Sequence, residues 1–79
     1  MRSSDTEWND LQVFSEILYV CREPHTRIQI LEETGLSMRR LNFCLKYLLK
    51  QNLVRYHYRK GTHVTTEAGL RLLQQLQHD

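Results

Sequence analysis

Apolar residues recur at three- and four-residue spacing in four stretches of this chain, with one short stretch of alternation between the third and the last. In the first stretch Phe14, Ile17, Leu18 and Cys21 keep helical spacing and Val13 and Val20 widen the stripe, which predicts a helix over residues 8–21. Ser4 with Glu7 offers a capping box ahead of it, Thr6 a competing cap, and residues 1–5 are expected to be a disordered lead-in. Pro24 closes the helix, because the residue before a proline is driven out of the helical region. Thr26 and Gln29 make a second capping box, opening a short helix through Thr34 with Ile28 and Leu31 turned inward. Gly35 breaks it, Leu36 fills the corner and Ser37 caps the next helix. That third helix repeats Leu41, Cys44, Leu45 and Leu48 on one side and ends near Gln51 or Asn52, asparagine being tolerant of left-handed backbone.

Residues 53–58 alternate instead, and predict a strand with Val54, Tyr56 and Tyr58 on its apolar face. Arg59-Lys60-Gly61 is the turn and residues 62–65 the return strand. A two-residue turn at Lys60-Gly61 would set Val64 opposite His57, on the polar face. A three-residue turn with Gly61 left-handed sets Val64 opposite Tyr56 and keeps the apolar face intact, so this is the expected register. It leaves His57 and His63 as an exposed cross-strand pair in line with Arg55 and Arg59. Thr65 or Thr66 caps a last helix over residues 66–78, buried through Gly69, Leu72, Leu73 and Leu76. The expectation is a single domain, residues 1–79, mainly α with a β-hairpin, in the order helix, helix, helix, strand, strand, helix.

Charge sharpens this outline. The 79 residues carry a net charge of only +2, but it is unevenly placed. Residues 1–21 hold Arg2 against Asp5, Glu7, Asp10 and Glu16, net −3. Residues 22–62 hold nine basic residues against Glu23, Glu32 and Glu33, net +6. Residues 63–79 hold Arg71 against Glu67 and Asp79, net −1. Within the basic block, residues 37–51 contain Arg39, Arg40, Lys46 and Lys50 and no acid at all. Arg39, Lys46 and Lys50 fall opposite the leucine stripe. A solvated helix ordinarily mixes signs for i, i+4 pairing. A helix anchored by one face and purely cationic on the other is suited to a polyanion.

Other chemistry finds little support. Cys21 and Cys44 are too few and too far apart for a disulfide framework or a zinc site, and read as reduced, buried thiols. His57 and His63 lack a third ligand for a metal. No apolar run approaches the ~18 residues of a membrane span, and no apolar signal-peptide core stands at the start, so a cytoplasmic setting is expected. The acids are scattered and no glycine-rich phosphate loop or nucleophile–base pair stands out. The expectation is a protein that is not an enzyme and that works without cofactor or metal.

Thr26-Arg27-Ile28, Leu36-Ser37, Leu41, Leu45, Leu48, Leu53-Val54 and Thr66-Glu67-Ala68-Gly69 with Leu73 together resemble the small archaeal winged helix-turn-helix proteins. The resemblance runs over about residues 17–76. It implies binding of double-stranded DNA, a role as chromatin-like protein or transcriptional regulator, and pairing into dimers through a long C-terminal helix. Three departures stand out: Asn52 where glycine is usual, Phe43 where lysine is typical, and a last helix of about twelve or thirteen residues. At about 1.5 Å per residue that helix reaches near 20 Å, short for a self-supporting coiled coil.

In this architecture the third helix enters the major groove and the hairpin, or wing, touches the flanking backbone. Ser37, Arg39, Arg40, Asn42 and Phe43 are then the base-facing candidates, since arginine can read guanine and asparagine adenine. Lys46 and Lys50 further along the face, Arg55, Arg59 and Lys60 on the wing, and Arg27 at the start of the second helix are the phosphate candidates. Phe43 has three available uses: a thymine methyl, a second subunit, or folding back over Tyr47 or the wing. The competing reading is a winged-helix module for protein–protein interaction in a larger assembly. Single-stranded nucleic acid ranks last, because Tyr56 and Tyr58 are expected inward and not as a stacking platform. A homodimer through the first and last helices, involving Trp8 or Tyr19, is a further expected partner arrangement.

Overall fold

The computed structural model describes residues 9–77. Helix α1 (Asp10–Val20) starts two residues after the sequence suggests, because Asn9 supplies the cap. Its side chain accepts from the Gln12 N–H at 2.8 Å and the Gln12 side chain answers the Asn9 N–H at 2.8 Å. This reciprocal box satisfies two of the amides a helix start leaves without partners. The capping box expected at Ser4 and Glu7, the competing cap Thr6 and the expected first helical residue Trp8 lie outside the described residues. Val13, Ile17, Leu18 and Val20 are buried on α1.

A two-residue strand β1 (His25–Thr26) follows, and α2 (Arg27–Thr34) opens directly from it. Thr26 and Gln29 form the expected capping box, and Gly35 takes φ +74° to close the helix with its N–H on the Leu31 carbonyl at 2.9 Å. The inward face of α2 corrects the expectation. Ile30 is fully buried and Ile28 is 57% exposed. Thr34, one turn beyond Ile30, can join the buried face because its hydroxyl donates to the Ile30 carbonyl at 2.7 Å, which removes the penalty of burying an unpaired polar group.

Helix α3 (Met38–Lys50) is capped by Ser37 and ends in a left-handed residue, Asn52, at φ 64°. The Leu53 N–H reaches the Leu48 carbonyl at 2.9 Å and the Asn52 N–H the Leu49 carbonyl at 3.0 Å, the paired bonds of a Schellman ending. Asparagine thus serves where glycine is usual. Two strands follow, β2 (Val54–His57) and β3 (Thr62–Thr65), and then α4 (Glu67–Gln77). Thr66, not Thr65, caps α4: its hydroxyl accepts from the Gly69 N–H at 3.1 Å and donates to the Asn52 carbonyl at 2.8 Å. Thr65 is buried and clips the hairpin to α1, through its N–H to the Cys21 carbonyl at 2.7 Å and its hydroxyl to the Leu18 carbonyl at 2.8 Å.

The sheet has three strands in the order β1-β3-β2, both pairings antiparallel. Its register departs from expectation by one residue: Tyr56 faces His63 and Arg55 faces Val64. The connection is residues 58–61, four residues and not three. Gly61 is left-handed as expected, at φ 65°, with its N–H on the His57 carbonyl at 2.8 Å. A one-residue slip exchanges the faces of a strand. His63 therefore lies inside, 2% exposed, on the same face as Val54, Tyr56 and Thr65, and Tyr58 leaves the apolar face for the loop, 77% exposed. The exposed His57–His63 pair does not exist. Beneath the sheet, α1 packs against α2, α3 and α4 around one core of Val13, Ile17, Leu18, Ile30, Leu41, Leu45, Leu48, Val54 and Leu73, with Leu36 closing the corner between α2 and α3.

Candidate nucleic-acid interface

The geometry of α3 follows from its own sequence. Leu41, Cys44, Leu45 and Leu48 are at most 1% exposed and hold one side of the helix in the core. At 100° per residue, Arg39, Phe43, Lys46 and Lys50 fall in a line on the opposite side, spaced by four, three and four residues. All four are exposed, as is Asn42 on the flank. Among the described residues, none of the cations Arg39, Lys46 and Lys50 has a carboxylate within ion-pair distance. A row of unneutralised positive charge on a rigid support is the result.

The flank facing α1 behaves differently. Arg40 is half-buried and its guanidinium donates to the Asp10 carboxylate at 3.1 Å, which ties the first turn of α3 to the first turn of α1. Tyr47, on the same flank, stacks on Phe14 with ring centroids 5.1 Å apart and planes 17° apart. Ser37 is engaged as the cap, its Oγ accepting the Arg40 N–H at 3.1 Å. Of the five residues expected to face bases, the structure therefore gathers Arg39, Asn42 and Phe43 on the open side and gives Ser37 and Arg40 positioning contacts. Helical phase alone hints at this, since Arg40 falls well off the line through Arg39 and Lys50. The partner, Asp10, lies thirty residues away and sequence supplies no signal for it.

Phe43 does not fold back. It is 64% exposed, in the middle of the cationic line. On the hairpin, Arg55, Arg59 and Lys60 are exposed, with Arg55 and His57 on the outer face of β2. Arg27, the first residue of α2, is exposed too. Arg22 is drawn elsewhere: its guanidinium covers the Tyr19 ring at 3.9 Å and bonds the Tyr19 carbonyl.

The titratable groups near the sheet fall into two opposite environments. His25 donates from Nδ1 to the Glu23 carbonyl (2.7 Å) and from Nε2 to the Glu33 carboxylate (3.0 Å), and these partners raise its pKa above the ordinary 6.5. His63, its cross-strand neighbour, is pushed below 6.5 by burial and then by the Arg27 charge, against a smaller opposing effect of the His25 backbone. Its Nδ1 is buried without a hydrogen-bond partner among the described residues. Burial and then Glu33 push the Cys21 thiol up to about 12, and burial and Asp10 raise that of Cys44, so neither is poised as a thiolate. Among the described residues no three His, Cys, Asp or Glu side chains converge to hold a metal, and no helix is long and apolar enough to cross a membrane.

A three-helix core whose third helix shows a cationic face, followed by a hairpin and a closing helix, is the architecture of a winged helix-turn-helix domain. The chain belongs to the winged helix-turn-helix family, whose model matches residues 9–78. Comparison with curated proteins and with solved structures gives no match. The family membership makes DNA binding the function suggested for the fold; the residues that would carry it are a matter for the geometry above.

Proposed function

We propose that this protein binds double-stranded DNA as a transcriptional regulator or chromatin component, with α3 in the major groove and the hairpin loop on the adjacent backbone. The observation that carries the reading is the line Arg39, Lys46 and Lys50, exposed and unpaired among the described residues on a helix whose other side is core. Arg39 and Asn42, in the first turns, are the base-reading residues, and Lys46 and Lys50 grip phosphates further along. Arg55, Arg59 and Lys60 grip the flanking backbone, and Arg27 reaches it from the start of α2. Arg40 lies outside this interface, as the strut between α3 and α1.

Titration of duplex binding against salt tests the reading. Five phosphate contacts, from Arg27, Lys46, Lys50, Arg55 and the adjacent Arg59 and Lys60 acting on one stretch of backbone, give a log–log slope of about −4.5 at about −0.9 per phosphate. Absence of duplex binding at low salt, or a slope near zero, would overturn it. The protein-interaction alternative needs an apolar patch on α3. Tyr47 stays 46% exposed but is turned onto Phe14, on a different flank from Phe43, and Phe43 itself stands among cations, which favours the polyanion.

A further inference from the structure

Phe43 stands at the centre of the proposed interface, on the line of Arg39, Lys46 and Lys50, and is 64% exposed. Scattered single hydrophobic residues on a surface are ordinary. This one is not scattered: it is flanked at four residues before and three residues after by cations on the same helical line. Its neighbour Tyr47 turns away to Phe14 and does not cover it. Whatever the cations approach, Phe43 approaches too.

Two occupants compete for such a face. A second copy of the chain, docked about a two-fold axis, would bring the same face against itself. Arg39, Lys46 and Lys50 of each copy would then meet their own like charges, which is repulsive at close quarters. A duplex meets the charges with phosphates and leaves Phe43 against the floor of the major groove. That floor offers the ring hydrogen-bonding edges almost everywhere; the one apolar group there is the C5-methyl of thymine. A phenyl ring pressed on a guanine or cytosine edge strips water from donors or acceptors without replacing their bonds, at a penalty. Pressed on a thymine methyl, it buries apolar surface on both sides.

We infer that Phe43 selects for thymine by contacting its C5-methyl in the major groove. The inference rests on the DNA-binding reading above and adds a base preference to it. Phe43 is thereby a specificity residue, whereas Lys46 and Lys50 set affinity without regard to sequence.

The test removes the methyl and nothing else from the DNA. A random duplex library is enriched on the wild-type protein, and the enriched pool is then amplified once with thymidine and once with deoxyuridine nucleotides. Wild type is expected to bind the thymine pool about four-fold more tightly, the equilibrium equivalent of burying one methyl group at roughly 0.8 kcal/mol. Phe43→Ala is expected to bind both pools alike while melting at the wild-type temperature. Phe43→Lys, which restores a cation to the line, is expected to lose the discrimination and to steepen the salt slope. Equal binding of the two pools by wild type, or a thymine preference that survives in Phe43→Ala, would overturn the inference and leave duplex binding standing. Failure to enrich or bind any duplex would remove both.

Discussion

Helix α3 and the β2–β3 hairpin both carry exposed cations, but they hold them in different ways. The thirteen residues of α3 are pinned along their length by four side chains at most 1% exposed, so Arg39, Lys46 and Lys50 keep fixed spacing and direction. The hairpin has strands of four residues, and its Arg59 and Lys60 ride on a loop of which every residue from 58 to 60 is exposed. Base edges demand donors and acceptors placed within fractions of an ångström, which only the helix can offer. Phosphates, repeating and uniformly charged, accept an adaptable cation. The contrast supports the proposal that α3 reads sequence and the wing grips backbone. It also locates the wing's weakness, because its placement depends on the few buried residues at its base.

Gly69 is the sharpest way to break that base. It begins α4 so close to the hairpin that a Cβ there would collide with the Leu53 carbonyl oxygen and the Thr65 methyl, the backbone and side chain that hold the strands in place. Gly69→Ala is expected to destabilise the domain by roughly 3 kcal/mol, the upper range for overpacking. For a domain of this size that is a fall in melting temperature of more than about 12 °C. A melt within two or three degrees of wild type would show the junction to be compliant, and the wing less dependent on α4 than the geometry implies.

Charge reversal compares the two regions directly. Each phosphate contact at a slope of about 0.9 contributes about eight-fold in affinity between 0.1 and 1 M salt, so Lys46→Glu with Lys50→Glu should weaken duplex binding about 60-fold at 0.1 M. Arg59→Glu with Lys60→Glu should weaken it about eight-fold, as adjacent loop residues that share one stretch of backbone. Both double variants should stay folded, being exposed positions off the core, with the helix pair melting slightly lower because Lys50→Glu reverses a favourable charge in the last turn of α3. Equal losses from the two pairs, measured by anisotropy, would erase the division of labour between helix and wing.

How much of this was readable from the chain follows the same division. Over thirteen residues the 3.6-residue period fixes the phase of α3 many times over, and Leu41, Cys44, Leu45 and Leu48 fall inward as their spacing requires. The hairpin offers no such redundancy. Its faces depend on whether the loop holds three residues or four, and the fourth, Tyr58, exchanges His63 from solvent to core. Strand β1 is two residues long, too short for any periodicity, yet it makes β3 the central strand and is what encloses His63 from the α2 side. Ile28 and Ile30 are equally apolar, and the buried one, Ile30, shares its face with Thr34, whose hydroxyl is satisfied within its own helix. The candidate site was legible where it depends on helical phase, and not where it depends on distant partners, as with Arg40 and Asp10.

The paired histidines give the hairpin a pH response that α3 lacks. His63 is lowered from 6.5 by burial and by Arg27, with the Tyr56 ring tilted against it at a centroid distance of 4.8 Å, so the unfolded chain binds its proton more readily than the folded one. Stability from this group is complete above pH 6.5 and is lost as pH falls through that value toward the folded pKa. His25 is raised by the Glu23 carbonyl and by Glu33, so its contribution has the opposite sign: complete below 6.5, and lost as pH rises through the folded pKa. The domain should therefore melt highest near pH 6.5 and fall away on both sides. His63→Phe, which keeps a ring against Tyr56 but cannot be protonated, should abolish the loss between pH 6.5 and 5 and leave the alkaline loss in place. His25→Gln should do the reverse. Melting temperatures that stay flat across pH 5 to 8 in the wild type would mean that the sheet relaxes around a charged His63, and the hairpin would then be as indifferent to protons as the helix beside it.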